Sequence, residues 1–104
     1  MNYINLTPHD IILNDGRKFE ATGNIARVSS SFTDIVDDVC EQRFGEVQGL
    51  PEAQQGVRYI VSGMVLAALK GSRPDVVSPA TGHSETKRND KGHIVSVPCF
   101  VRGA

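Results

Sequence analysis

The stretch that decides the fold is Arg58-Tyr59-Ile60-Val61-Ser62-Gly63-Met64-Val65-Leu66-Ala67-Ala68-Leu69-Lys70-Gly71. Its first four residues are β-branched or aromatic in three positions of four, which suits a buried strand. Ser62 then offers a hydroxyl where a helix must satisfy its first free N–H groups, and Gly71 offers the left-handed conformation in which helices end. A strand over 58–61 followed by a helix of about two turns over 63–70 is the expectation. Met64, Val65, Leu66, Ala67, Ala68 and Leu69 leave that helix no polar face, so burial is expected all round, in its own core or against another subunit.

Working outward, short β signals surround this unit. Ile4-Asn5-Leu6 alternates as a strand does, and Thr7-Pro8-His9-Asp10 turns the chain, with Thr7 placed to accept a backbone hydrogen bond. Ile11-Ile12-Leu13 and Lys18-Phe19-Glu20 flank Asn14-Asp15-Gly16, a hairpin pattern. Ile25-Ala26-Arg27-Val28 reads as a strand limited by Gly23-Asn24 and Ser29-Ser30-Ser31. Residues 32–43 fit a helical face through Ile35, Val36 and Val39, but their β-branched content favours paired strands. Residues 44–56 read as a polar connection. Asp75-Val76-Val77 and Ile94-Val95-Ser96-Val97 are further strands, separated by the turn Pro79-Ala80-Thr81-Gly82 and the loop Asn89-Asp90-Lys91-Gly92. Many short strands around one principal helix predict an α+β domain with a mostly antiparallel sheet.

The chain has 104 residues, which predicts one domain over 1–104. Only 6% of residues are aromatic and none is tryptophan, so burial against partner subunits is expected to supplement a small core. A formal net charge of −1, with both signs scattered, argues against DNA or RNA as partner. The longest apolar run, residues 64–69, falls far short of the ~20 needed to cross a bilayer, and Met1-Asn2-Tyr3 opens no signal-peptide pattern. A cytoplasmic protein is expected. Cys40 and Cys99 are not closely spaced, which suits reduced, partly buried, structural thiols.

Motifs for chemistry are absent: no phosphate loop, no Gly-x-Gly-x-x-Gly and no nucleophile elbow. His9, His83 and His93 match no metal-ligand spacing and read as half-buried hydrogen-bonding side chains. Asp34, Asp37, Asp38 and Glu41 lack the glycine and spacing of a calcium loop and read as a solvated face. No metal and no cofactor are expected. What remains is isolated arginines in Gly-, Ser- and Pro-bordered surroundings: Arg27, Arg43, Arg73, Arg88 and Arg102. A guanidinium grips phosphate through two parallel hydrogen bonds and stacks flat on a purine. A solvated, salt-bridging role is the alternative for each.

Five ordered blocks carry a resemblance. They are Asn5-Leu6-Thr7-Pro8-His9-Asp10-Ile11, Ala26-Arg27-Val28, Phe44-Gly45-Glu46-Val47-Gln48-Gly49-Leu50-Pro51-Glu52, Gly56-Val57-Arg58-Tyr59-Ile60-Val61-Ser62, and a tail spanning Arg73-Pro74-Asp75-Val76-Val77-Ser78-Pro79-Ala80-Thr81-Gly82 and Arg88-Asn89-Asp90-Lys91-Gly92-His93-Ile94. Together they resemble the Thoeris anti-defence protein one family of phages. The resemblance implies a non-catalytic sponge for glycocyclic ADP-ribose, the signal made by bacterial TIR-domain immune enzymes, with cyclic di- or trinucleotides of CBASS defence as further ligands of some members. It also implies a β-rich dimer unit, a hexamer in several members, pockets formed between chains, and a site of action in the host cytoplasm during infection. In that family adenine stacks between an aromatic ring and an arginine. Arg88 matches that arginine or a phosphate-gripping one, with Arg73 as its neighbour and Met64 at the aromatic position, where it supplies no ring face. Arg27 and Arg43 stand for a second, phosphate-rich pocket, and Thr81 and Asn89 for contacts to base or ribose edges. An enzyme that opens the cyclic signal through the histidines, or a small virion or assembly protein, are the competing classes.

Overall fold

Tyr59, Ile60 and Val61 are all buried although their side chains alternate across a strand, so both faces of that strand are covered. Around it the computed structural model, which describes residues 1–103, builds a four-stranded sheet. The strands are β1 (Asn2–Asn5), β6 (Val57–Ile60), β7 (Val76–Pro79) and β10 (Phe100–Arg102), in the order β1-β6-β7-β10. β1 and β6 pair in parallel with Tyr3 opposite Arg58 and Asn5 opposite Ile60, and β6 pairs in parallel with β7. β10 closes the sheet antiparallel to β7.

Three antiparallel ribbons complete the domain: β2 (Ile11–Ile12) with β3 (Lys18–Phe19), β4 (Arg27–Phe32) with β5 (Gln42–Gln48), and β8 (Lys87–Arg88) with β9 (Ile94–Ser96). The α+β class and the one helix stand as expected, and most strand pairs are antiparallel. The central sheet differs, because two of its three pairings are parallel. For β6 and β7 the cause is the connection β6–α1–β7, with α1 at Gly63–Leu69: a helix carries the chain back across the sheet, so the next strand runs the same way.

One face of the sheet packs under α1. Tyr59, Val61 and Val76 meet Leu6, Ala26, Val65 and Leu66 there. On the other face Ile60 and Val77 meet Ile11, Leu13 and Val97, flanked by Tyr3, Phe19 and Phe100. Ser62 caps α1, its Oγ accepting from the Val65 N–H at 3.4 Å. At the other end Lys70 takes the left-handed conformation (φ 52°), and Gly71, where it was expected, follows with φ 76°. The expectation of burial all round is corrected: only Val65 and Leu66 are buried, and Met64 is 49% exposed. A seven-residue helix on a flat sheet buries one stripe, and no other element covers its far side.

Asn5 is the polar pin of the structure. Its side-chain N–H groups donate to the carbonyls of His9 (2.8 Å) and Phe19 (3.0 Å), and its Oδ1 accepts from the Thr7 N–H (2.9 Å) and lies 2.7 Å from the Thr7 hydroxyl. Thr7 therefore donates in this turn, where the sequence suggested that it accepts. All four hydrogen-bonding positions of a buried amide are filled, which avoids the cost of an unpaired polar group.

The strand expected over 25–28 instead runs from Arg27 through the serines to Phe32; its partner spans 42–48, so the paired strands favoured for 32–43 are present at the ends of that stretch, and residues 44–48, expected as a connection, are strand. Their hairpin turns at Asp37 and Asp38, both at positive φ (51° and 67°), with Val36 and Val39 exchanging backbone hydrogen bonds. The base of this ribbon packs Val28 and Val47 on the helix-side core, while its outer part stands free. The radius of gyration, 15.1 Å, exceeds the ~13 Å of a compact chain this long because of that arm.

Gly49 leaves the arm at φ +80°, and a Cβ there would lie 2.6 Å from the Ile25 carbonyl oxygen. Gly16 has φ +96° with open space around it. Gly49→Ala is expected to lose about 3 kcal/mol of stability and Gly16→Ala about 1 kcal/mol, measured by urea unfolding.

Candidate functional site

Pro79 ends β7 and the chain turns at Ala80-Thr81-Gly82, bringing the following loop back over the sheet edge. The Thr86 hydroxyl donates to the Ala80 carbonyl at 2.8 Å, tying the two ends of this loop together. β8 follows, and its partner strand begins after a turn closed by Asn89, whose Oδ1 accepts from the N–H groups of Lys91 (2.9 Å) and His93 (3.0 Å). The Asn89 N–H in turn donates to the His93 carbonyl at 2.9 Å. Arg88 donates to the Gly92 carbonyl at 3.0 Å and reaches the Thr81 carbonyl at 3.5 Å. Thr81, Arg88 and Asn89 thus come together, as the sequence suggested. Arg88 bonds only carbonyl groups here, and among the described residues no carboxylate lies within 4.0 Å of it.

Thr81 also lines a cavity of about 630 Å³ between the Thr7-Pro8-His9 turn and residues 78–83, with Ser62 and Gly63 at its inner end. The volume falls in the range of small-molecule sites. His9 and His83 both line it. The Glu85 N–H donates to His83 Nδ1 at 3.0 Å, which directs that ring's other nitrogen outward. All three histidines are exposed, not half-buried as expected, because each sits in a turn beyond the sheet's edge. Met64 follows Gly63 in sequence with its side chain half in solvent, and does not itself line the cavity.

Arg73 is placed differently. Its Nε and a terminal nitrogen grip the two carboxylate oxygens of Asp75 at 2.9 and 2.8 Å, and the same terminal nitrogen donates to the Pro51 carbonyl at 2.9 Å. The fork is filled from within the protein, and the Arg73 side chain is only 23% exposed. It staples the loop after α1 to the start of the β5–β6 connection and is not a neighbour of Arg88. The Arg73 guanidinium holds the Asp75 carboxyl below the usual carboxylate range, against a smaller opposing effect of burial.

Arg27 and Arg43, expected to share a pocket, line separate cavities. Arg27 faces one of about 720 Å³ with Gly49, Leu50 and Tyr59, and Arg43 one of about 530 Å³ with Phe44, Ala68 and Lys70. They pair with Gln48 and Ser31 respectively, four ladder positions apart, or ~13 Å along the ribbon. Arg43 also lies 3.7 Å from Glu41. Within one chain, therefore, they do not converge.

Cys40 and Cys99 are unpaired as expected, but both are exposed, Cys40 on the arm and Cys99 just before β10, where no layer lies over them. Among the described residues no three His, Cys, Asp or Glu side chains gather in a metal-holding group, and no helix is long and apolar enough to cross a membrane. The sequence reading passed over Arg17 and Arg58. These line a further cavity together with Arg102, and no local sequence signal shows it, because it depends on the parallel register that sets Tyr3 opposite Arg58. Comparison with family models, with curated proteins and with solved structures gave no match.

The Arg73–Asp75 pair sets a pH dependence. A carboxyl whose folded pKa is depressed adds stability above its unfolded value, about 3.9, and that contribution is lost as pH falls through the folded value. Asp75→Asn is expected to cost about 2 kcal/mol at neutral pH, with the difference from the unaltered protein narrowing as pH is lowered below about 4 in denaturant titrations.

Proposed function

We propose that the protein is a phage anti-defence sponge that binds glycocyclic ADP-ribose, and cyclic di- or trinucleotides as further ligands, and withholds them from Thoeris and CBASS effectors without breaking a bond. The observation that carries the reading is the position of Arg88: a guanidinium without a carboxylate partner among the described residues, held by the carbonyl groups of Gly92 and of Thr81, a residue that lines the 630 Å³ cavity. A cation so placed is preorganised for a phosphate and for the face of a purine. Met64, half exposed and next in sequence to the cavity-lining Gly63, would supply an apolar surface for the base. Thr81 and Asn89 supply polar edges beside it. Arg73, engaged by Asp75, serves this site only as scaffold.

A sponge needs nanomolar affinity, about −12 kcal/mol, and one exposed guanidinium does not supply it. A second chain is therefore part of the reading, with Arg27 and Arg43 contributing across subunit boundaries. Support comes from the arm, whose Phe32, Ile35, Val36 and Val39 are between 65% and 76% exposed, an apolar patch suited to burial in a dimer or hexamer. The place of action proposed is the host cytoplasm.

A second reading has its own observation: His9 and His83 line the same cavity as Thr81, where they would act as acid and base on a cyclic phosphate. Heat release separates the two. After incubation with cyclic ADP-ribose isomers and denaturation of the protein, intact ligand in the supernatant is expected, and linearised product would establish catalysis instead. By calorimetry, Arg88→Ala is expected to lower affinity at least ~100-fold with the melting temperature retained. Unchanged affinity, or a strict monomer indifferent to every cyclic nucleotide in native mass spectrometry, would overturn the sponge.

A further inference from the structure

The strand register places a second cationic site on the sheet face that α1 does not cover. Tyr3 stands opposite Arg58, Ile60 opposite Val77, and Val77 opposite Arg102, while Phe100 lies two residues from Arg102 on the same side of β10. Leu13, Val77 and Pro98 add an apolar wall, and Arg17 approaches from the β2–β3 turn. They enclose a cavity of about 370 Å³ that shares no lining residue with the one beside Arg88.

The floor is built. Tyr3 and Phe100 stack with centroids 5.4 Å apart and planes at 27°, and Phe19 meets both edge-on at 5.1 and 5.4 Å. The Arg58 guanidinium carbon lies 5.9 Å from the centre of the Tyr3 ring, and one of its terminal nitrogens donates to the Tyr3 hydroxyl at 3.3 Å. Both contacts orient the cation and leave its charge uncancelled. Among the described residues the one carboxylate in ion-pairing range of these three arginines is Asp15, 2.9 Å from the Arg17 Nε. Arg73 shows the contrast, since its fork is closed by Asp75. Three guanidiniums around one small cavity repel one another, and a dianion between them converts that repulsion into attraction.

We propose that this cavity binds a small organic phosphate of about mononucleotide size, with the phosphoryl group met by Arg17, Arg58 and Arg102 and its ring laid on the Tyr3–Phe100 floor. A compact phosphate fits the fork geometry of guanidinium, and an apolar or aromatic remainder fits the wall. The inference is independent of the sponge reading, because it uses no residue of the Arg88 cluster.

The test titrates the full chain with adenosine monophosphate, inorganic phosphate and adenosine, followed by amide and arginine side-chain NMR shifts. Saturable binding is expected for the monophosphate, weaker binding for phosphate, and the weakest for adenosine. Arg58→Gln and Arg102→Gln are each expected to weaken the monophosphate about tenfold, while Arg88→Ala leaves it unchanged. Cys99 lines this cavity and Cys40 does not, so the monophosphate is expected to slow maleimide modification of Cys99 alone. Should Arg58→Gln fail to fold, Arg102→Gln, on an exposed edge strand, and the Cys99 protection carry the test. Absence of saturable binding, affinity indifferent to Arg102→Gln, or loss through Arg88→Ala instead would overturn the proposal. If this site fails while Arg88→Ala still abolishes retention of cyclic ADP-ribose, the sponge stands alone; the reverse outcome leaves this site standing alone.

Discussion

Two-sided burial of Tyr59, Ile60 and Val61 is the constraint from which the other features follow. A strand that hides both faces needs a cover on each, and 104 residues provide only thin ones. On one side the cover is a helix of seven residues, with one buried stripe. On the other it is the short β2–β3 ribbon and Val97. Thin covers leave rims, and both cavities of functional interest lie at rims: one where the Thr7-Pro8-His9 turn meets the end of β7, the other where the β2–β3 turn stops short of β10. The pin that holds the first rim is Asn5. It ties the strand carrying the register to the turn that lines the cavity, and to Phe19 in the opposite cover.

The sequence made the strand–helix unit at its centre legible because its signals are local. Ser62 and the left-handed close at Lys70-Gly71 bracket α1, and β-branched residues mark β6. It did not make the parallel pairing legible, since β1 reaches β6 across more than fifty residues and no local pattern encodes that distance. The β5 strand was hidden for another reason. Gln42, Glu46 and Gln48 give it no apolar face, because the ribbon it forms stands largely in water. Thr81, Arg88 and Asn89 could be grouped from sequence, being joined by a short loop. Arg73 was misplaced although its partner is two residues away, since Arg73-Pro74-Asp75 shows both charges but not their facing geometry.

Arginines in this protein divide by what fills their forks. Arg73 is closed by a carboxylate and a carbonyl, and its role ends in stability. Arg17 and Arg43 have exposed carboxylate neighbours, worth little in water and readily exchanged for a ligand. Arg58 and Arg88 are held by neutral oxygens alone, which fixes direction without cancelling charge. Composition cannot separate these states, and an overall charge near zero conceals them. The number of carboxylates within reach of each guanidinium is the quantity that decides which of them can receive an anion.

The arm places a last demand on the molecule. A two-stranded ribbon is marginal by itself in water, and its base gains support only from Val28 and Val47 against the helix-side core. Toward the turn, Phe32, Ile35, Val36 and Val39 meet solvent, as do Asp34, Asp37 and Asp38 between them. Such a ribbon gains most from a surface outside its own chain, and under the proposed assembly a second copy would supply it. Under the proposed assembly, burial of the arm and completion of a pocket are then one event. Such coupling would let a small domain bind tightly with cavities that are open in the single chain: the ordering cost of the arm would be met by protomer association before a ligand arrives, so the ligand's own contacts would not be spent on it.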